Sequence, residues 1–217
     1  SRGLWLQLKK NFKWKHPYNH KHVQFYIDKY KKQSYHFKKL SQQASPYLYH
    51  IVQELKENNL PGELAILPMI ESAYQPHVTS SVGASGIWQL GKATAKRFGV
   101  KQDKWYDGRR DIPDSTVAAI NYLKFLHKKF DQDWLLALAA YNSGEGKVYR
   151  AIKKNQKTGK STKVWDLKLP RQTKQFVPKI LAIAYLIKHP EELGIELKLI
   201  NNSPYFAEIN PNSRIDL

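Results

Sequence analysis

The sequence contains no cysteine, and this absence removes several kinds of stabilising feature at once. Neither a disulfide nor a cysteine-ligated metal site can form, so the fold depends on packing and hydrogen bonds. No apolar stretch approaches the eighteen residues of a membrane span, so we expect no transmembrane helix in this chain. The first residues lack a signal-peptide pattern. A mature, exported chain would lack this pattern as well, so export stays compatible with the sequence.

Acidic residues are scarce. Eighteen Asp and Glu stand against thirty-six Lys and Arg, giving a net charge of +18. A charge of this size favours an anionic partner such as nucleic acid, acidic lipid or an acidic cell-wall polymer, although a basic protein without such a partner is the simpler alternative. Because the nucleic-acid alternative rests on charge alone, we predict no nucleic-acid partner.

Recognisable metal and nucleotide motifs are also missing. The eight histidines form only close pairs such as His16/His20 and His20/His22, and no HExxH motif is present. Walker A and dinucleotide-binding glycine patterns are absent as well. We therefore predict neither a metal site nor a cofactor.

Apolar residues make up 41% of the chain, enough for a core, and most of them recur at helical spacing. The pattern predicts an all-α fold with one loop-rich insert over residues 75–91. One or two Lys-rich amphipathic helices are expected within residues 1–44. The predicted units are a helical extension over 1–58, a main domain over 59–198 and a tail over 199–217.

Several helix boundaries carry local signals. We predict a helix over 61–74, with Pro68 inside it as a kink or loosened turn, and a last helix over 173–188 that contains Pro178. Asp111 and Asp133 each precede an apolar helical stretch and are expected to cap it.

The most informative stretch covers residues 64–89, where an apolar run carries a single carboxylate, Glu71. A carboxyl group at the end of an apolar helix is partly desolvated, which raises its pKa and favours the protonated form. Such an acid can protonate a glycosidic oxygen. The alternative is an ordinary carboxylate that opposes the helix dipole.

A second polar constellation ends the apolar helix near residue 140. Tyr141 and Asn142 could present a phenol and an amide to a sugar, and a simple helix C-cap is the alternative.

Three segments in this order resemble the lytic transglycosylases of the goose-lysozyme-like superfamily: ES at 71–72, GASGIWQ at 83–89 and AAYNSGEG at 139–146. The flanking segments at 44–52, 60–68 and 106–111 are similar to the membrane-bound lytic murein transglycosylase D type. The resemblance covers about residues 1–200.

This resemblance implies a lysozyme-like, goose-type catalytic domain over 59–198. It also implies cleavage of the β-1,4 bond between N-acetylmuramic acid and N-acetylglucosamine without water, which leaves a 1,6-anhydro end. The implied partner is the peptidoglycan glycan strand, with anionic envelope polymers as further candidates. The implied location is the bacterial envelope, in the periplasm, with membrane association only through an anchor outside this chain, such as an outer-membrane anchor on a full-length precursor.

Matching by position implies that Glu71 acts as acid and then as base. Ser72 and Ser80 are expected to contact substrate or position the acid, and Gln89 and Asn142 to hold N-acetyl groups. Trp88 stands where the family often has Met, as a stacking surface or as plain core. The full set expected to bind substrate is Ser72, Ser80, Gly86, Trp88, Gln89, Tyr141, Asn142, Gln172 and Phe176.

One segment departs from the family pattern. Where the family has E-T-x-x-Y-V, this chain has Gln172 and Phe176, which lack the charge and the phenol hydroxyl. Loss of one donor aimed at developing charge costs about 2–4 kcal/mol of transition-state stabilisation. The alternatives are therefore a slow enzyme or a non-catalytic glycan-binding protein, and a lysozyme-type hydrolase of the same bond is a third.

Overall fold

Ten α-helices form the fold in the computed structural model, which describes residues 3–15 and 18–206. His16 and residues 207–217 of the predicted tail lie outside this part. In the described part, extended pairing is limited to isolated bridges, and the predicted all-α class is confirmed. The α-helices are α1 (Leu4–Lys10), α2 (Lys21–Lys31), α3 (Ser34–Ala44), α4 (Leu48–Glu57), α5 (Leu67–Ser72), α6 (Lys92–Arg97), α7 (Ile112–Lys129), α8 (Trp134–Ser143), α9 (Glu145–Lys157) and α10 (Arg171–Lys188), with 3₁₀ helices at Gly62–Ile66 and Val164–Asp166.

Helix α8 occupies the centre of the core. Its residues from Leu135 to Ala140 are all buried, so the helix has no polar face. A helix that is apolar on every side must be surrounded by other elements. Here α7, α9 and α10 pack around it. The helix therefore holds the residues at its carboxyl end, Tyr141 and Asn142, on a rigid support.

Both predicted N-caps are confirmed. The Asp111 carboxylate accepts the backbone N–H of Asp114 at 2.8 Å and starts α7. The Asp133 carboxylate accepts the N–H groups of Leu135 and Leu136 at 2.8 and 3.1 Å and starts α8. These bonds satisfy donors that a helix start leaves unpaired.

The single helix predicted over 61–74 is wrong. The chain forms the 3₁₀ helix Gly62–Ile66 and then the short helix α5, in which Pro68 lies in the first turn. Proline is tolerated there because its missing N–H has no partner to lose. Helix α5 ends as Ala73 and Tyr74 take left-handed conformations, with φ of 50° and 59°. Pro178, in contrast, lies inside α10 as expected.

The N-terminal helices join the same hydrophobic cluster as the rest of the chain. Helix α1 packs against α4 and the first 3₁₀ helix, and α2 packs along α10. Glu63 is fully buried and accepts the N–H groups of Lys13 and Trp14 at 3.1 and 2.8 Å. Three helices occur within residues 1–44, where one or two were predicted. The division at residue 58 stays a prediction.

Within the described part of the chain, no helix combines the length and the hydropathy that a membrane span requires.

Candidate active site

Glu71 lies in the last turn of α5, and every residue of the preceding stretch from Pro61 to Met69 is buried. Burial raises the pKa of its carboxyl to about 7, and a hydrogen bond from Asn142 opposes this rise. Removal from water disfavours the charged form of a carboxyl group. Near neutral pH the group therefore carries a proton much of the time.

The Asn142 amide is held in a defined orientation. The hydroxyl of Thr173, in the first turn of α10, donates to Asn142 Oδ1 at 2.9 Å. With its oxygen engaged, the amide presents its NH₂ group to Glu71. Thr173 is only 2% exposed, so its hydroxyl has little contact with water. Sequence reasoning missed this residue, although it lies inside the departing segment that begins at Gln172.

Tyr141 ties the end of α8 to the loop-rich insert. Its hydroxyl donates to the carbonyl oxygen of Trp88 at 2.6 Å. Burial, together with the negative charge of neighbouring Glu71, raises the pKa of Tyr141 well above its usual range. The phenol therefore stays protonated beside the candidate acid.

Ser72, the residue after Glu71, ties the end of α5 to the loop-rich insert. Its hydroxyl donates to the carbonyl oxygens of Ile87 at 2.8 Å and Pro68 at 3.2 Å. The side chain is 7% exposed, so it has little surface for a ligand. Of the two roles predicted for Ser72, the contacts favour positioning the acid.

Ser80 and Gln89 hold the backbone of the insert. The Ser80 hydroxyl accepts the N–H of Ala84 at 3.0 Å. The Gln89 amide nitrogen donates to the carbonyl oxygens of Val78 at 2.9 Å and Gly86 at 2.8 Å. Both donors of the Gln89 amide are thus used within the loop. Sugar contact by either residue stays a prediction.

Trp88 does not offer a stacking surface, and that prediction is wrong. Its side chain is 0% exposed, and its indole N–H donates to the Thr116 hydroxyl at 3.0 Å. The alternative interpretation, a core residue, is the one that the structure supports. The main-chain oxygen of Trp88 matters instead, because Tyr141 binds it.

Arg109 anchors the insert, and sequence reasoning gave it no role. Arg109 is 3% exposed, and its guanidinium donates to both carboxylate oxygens of Asp107. It also donates to the carbonyl oxygens of Gly83 at 2.6 Å and Leu90 at 3.1 Å. These hydrogen bonds lower the pKa of Asp107. Asp107 therefore stabilises the loop through Arg109.

Gly86 is a packing requirement within this loop. Its φ is +80°, and a Cβ placed on it would lie 1.8 Å from the carbonyl oxygen of Arg109. The Arg109 carbonyl oxygen occupies the space where a side chain at position 86 would lie. Contact between Gly86 and substrate stays a prediction.

The two residues that depart from the family pattern differ in exposure. Gln172 is exposed in the first turn of α10, whereas Phe176 is 3% exposed. Phe176 follows Thr173 by three residues, so both lie on one face of the helix. Their effects on a substrate stay predictions.

Removal of the Thr173 hydroxyl is expected to change the titration of Glu71. In Thr173→Val, the Asn142 amide loses its fixed orientation and donates less well to Glu71. Because that hydrogen bond lowers the pKa of Glu71, weakening it raises the pKa further. The free energy of unfolding is expected to fall by about 1 kcal/mol. Carbon-13 NMR of the Glu71 carboxyl measures the pKa. Thr158→Val, which removes a hydroxyl at the end of α9, is the control; equal titrations in both variants would contradict this role.

Residues 49–164, more than half of the chain, match the family described as the transglycosylase SLT domain. The chain belongs to this family. It is 47% identical over 174 residues to the Membrane-bound lytic murein transglycosylase D of Escherichia coli K12. The alignment covers 80% of this SLT domain chain and 38% of that protein.

Solved structures share the fold of this SLT domain. An inactive mutant of the lytic transglycosylase Slt of Pseudomonas aeruginosa is 24% identical, with a TM-score of 0.53, over 68% of this chain and 24% of that one. The 70-kDa soluble lytic transglycosylase of Escherichia coli is 24% identical, with a TM-score of 0.50, over 67% of this chain and 24% of that one. The predicted lysozyme-like fold is confirmed.

Proposed function

We propose that this SLT domain cleaves the β-1,4 bond between N-acetylmuramic acid and N-acetylglucosamine in peptidoglycan, without water. The observation that carries the proposal is the environment of Glu71. Burial and one neutral amide account for its pKa of about 7, and no second carboxylate of the described residues contributes to it. Glycosidases with two catalytic carboxylates place the second one within about 5–10 Å. A site with one acid fits a reaction in which the sugar supplies its own nucleophile.

The proposed reaction uses the carboxyl group of Glu71 twice, first as a proton donor and then as a proton acceptor. Neutral Glu71 donates its proton to the glycosidic oxygen as the bond from that oxygen to C1 of N-acetylmuramic acid breaks. The C6 hydroxyl of the same sugar then attacks C1, and the Glu71 carboxylate takes the hydroxyl proton. The products are a free N-acetylglucosamine 4-hydroxyl and a 1,6-anhydro end. The acid is regenerated and water is not consumed.

The neighbours of Glu71 support both halves of this cycle. The Asn142 amide donates to the carboxylate that forms after the first proton transfer, while the buried environment favours the neutral acid before it. We further propose that Asn142 and Gln89 meet the N-acetyl groups of the glycan, and that Gln172 and Phe176 line the same cleft. Gln89 retains its carbonyl oxygen for such a contact, since its two N–H donors are used within the loop.

The charge of the chain supports the proposed substrate and place. Peptidoglycan stems and neighbouring envelope polymers are anionic, so a net charge of +18 assists adsorption, and salt weakens it. The name of the Escherichia coli relative, a membrane-bound protein, supports a location in the cell envelope. We propose a periplasmic domain, with any outer-membrane attachment made by an anchor outside this chain.

The chain spans 38% of the length of that relative. The proposal therefore concerns the cleaving domain, and we retain residues 59–198 as its proposed catalytic unit.

Activity is expected to depend on pH through Glu71. Since only the neutral acid can start the reaction, and its pKa is about 7, kcat should fall about tenfold per pH unit well above that value. Initial rates of release from dye-labelled sacculi between pH 5 and 9 measure this limb. A rate that still rises between pH 8 and 9 would contradict the assignment.

Digestion of purified sacculi tests the function directly. We expect soluble muropeptides with anhydro ends to accumulate in proportion to the enzyme. A glycan-binding protein would sediment with the sacculi and release nothing, and a lysozyme-type hydrolase would release reducing ends. Either outcome would overturn the proposal.

A further inference from the structure

Helix α9 presents a continuous row of cations to solvent. It buries Val148 and Ala151 and packs against α8. Its exposed side carries five cations that recur at the helical spacing of three and four residues. We call them the α9 cationic face: Lys147, Arg150, Lys153, Lys154 and Lys157. The first and the last are ten residues apart, which corresponds to about 15 Å along the helix axis.

The negative charge needed to balance this face is absent from the segment. No Asp or Glu occurs between Glu145 and Asp166. The Glu145 carboxylate is paired with Arg97 at 3.5 Å and with Lys129 at 3.2 Å, and neither partner belongs to α9. Within the part of the chain that the structure describes, the five cations form no ion pair. Like charges at this spacing destabilise a helix, so an anionic partner would relieve the repulsion.

An aromatic ring and a hollow lie on the same side of the helix. Tyr149 is 49% exposed, and Lys153 Nζ lies 5.5 Å from the centre of its ring. A cavity of about 400 Å³ opens there, and carbon atoms form almost all of its wall. The cavity is lined by Tyr149, Arg150, Lys153, Lys154, Lys157 and Thr158. Because Lys and Arg have apolar stems and charged ends, the hollow combines an apolar wall with cationic groups around it.

This combination fits a lipid surface better than a soluble polyanion. A polyanion that is contacted through its charges alone gains nothing from an apolar hollow. At a bilayer surface, headgroup phosphates would meet the cations, while the glycerol and the first acyl carbons would meet the apolar wall. Tyrosine also favours this interfacial region, because its ring is apolar and its hydroxyl is polar. The surface therefore matches both parts of an anionic phospholipid.

We propose that the α9 cationic face docks on a bilayer that contains anionic phospholipid, with the helix lying along the surface. The contact is peripheral, and it adds to any anchor outside this chain without replacing it. It is separate from the proposed cleavage, because no residue of the face belongs to the candidate active site. Its consequence is a fixed orientation, in which the same side of the domain faces the membrane in every bound molecule.

Vesicle binding tests this surface without peptidoglycan. The probes are vesicles of phosphatidylglycerol and phosphatidylcholine in equal parts, and vesicles of phosphatidylcholine alone, with binding measured by co-sedimentation. We expect the parent to bind the anionic vesicles and not the neutral ones. Each cation near an anionic surface changes partition by about fivefold. The variant Lys147→Gln/Lys154→Gln/Lys157→Gln should therefore bind roughly 100-fold more weakly.

The matched control removes three lysines elsewhere. Lys31→Gln/Lys32→Gln/Lys39→Gln changes the net charge equally, at exposed positions where α2 meets α3. At about 0.1 M salt, exposed charges more than about 10 Å from the surface are largely screened, so the control should bind within about threefold of the parent. Circular dichroism of both variants should match the parent. Equal losses in the two variants would show that net charge alone drives adsorption, and would overturn the assignment to α9.

A third variant tests the apolar hollow at constant charge. Tyr149→Ser should weaken binding to the anionic vesicles by roughly fivefold, because it removes half-exposed aromatic surface. Unchanged binding by this variant would contradict contact between lipid and the hollow. Failure of the parent to bind anionic vesicles would overturn the proposal outright. Retention of duplex DNA through α9 in the absence of vesicle binding would overturn it too, and would identify a soluble polyanion as the partner.

Discussion

Replacement of Glu71 by glutamine is expected to lower kcat on purified sacculi by about 10³-fold, within the 10²–10⁴-fold range of general acid–base catalysis. Glutamine has nearly the same shape but cannot deliver a proton to the glycosidic oxygen or remove one from the C6 hydroxyl. Burial and the Asn142 hydrogen bond set the pKa of Glu71, and we assign both proton transfers to this one carboxyl group. Timed release of soluble muropeptides measures the effect.

The fold of Glu71→Gln should remain intact. Asn142 can donate to the amide carbonyl as it does to the carboxylate, and removing a buried ionisable group does not leave a charge unpaired. Circular dichroism and co-sedimentation with sacculi are expected to match the parent. Glu57→Gln, on the exposed end of α4, is the control for loss of one negative charge. If Glu71→Gln kept a third of the parent rate, Glu71 would not be the acid.

Substitution of Gly86 by alanine is expected to destabilise the protein by about 3–5 kcal/mol. The added Cβ would lie 1.8 Å from the carbonyl oxygen of Arg109, and φ at this position is +80°. Backbone atoms on both sides must therefore move, which also disturbs the carbonyls that bind Arg109. Urea unfolding measures the change in free energy. Activity should fall too, because Ser72 and Tyr141 bind the same loop at Ile87 and Trp88.

Gly83→Ala separates the two causes of this loss. Gly83 has φ of +81°, almost the same as Gly86, but no atom lies within 4 Å of a Cβ built there. This variant carries only the cost of a left-handed alanine, about 1–2 kcal/mol. Equal losses in the two variants would show that backbone conformation, and not the contact with Arg109, makes glycine necessary at position 86.

Local chemistry explains what could be predicted from the sequence. Asp111 and Asp133 were identifiable as caps because an N-cap depends on the next three residues alone. Glu71 was identifiable because a lone carboxylate in an apolar run is desolvated wherever that run packs. The all-α class followed from the spacing of apolar residues, which does not depend on the partner of each helix.

Long-range contacts explain what was missed. Arg109 contacts Gly83 and Leu90 across some twenty residues of chain, and nothing in the local sequence indicates that pairing. Thr173 reaches Asn142 only because α10 packs on α8. Trp88 was open to two interpretations since an aromatic residue in a loop can either face solvent or fill the core. In the folded chain it is buried in the core, and its indole N–H donates to the Thr116 hydroxyl on α7.

The helix predicted over 61–74 failed for a related reason. Its apolar pattern is compatible with a continuous helix, but Pro68 cannot donate the hydrogen bond that the interior of such a helix requires. The chain resolves this conflict by ending a 3₁₀ helix at Ile66 and starting α5 one residue before the proline. The short helix that results ends at Ser72, which leaves Glu71 in its last turn.

The most direct test of the single-acid account is to digest sacculi in water enriched in oxygen-18 and to measure the masses of the released muropeptides by mass spectrometry. If Glu71 directs attack by the C6 hydroxyl, the new ends lack one water relative to reducing ends and contain no oxygen-18. Incorporation of one oxygen-18 atom per cleaved bond, with reducing ends, would show that water is the nucleophile and would contradict the account.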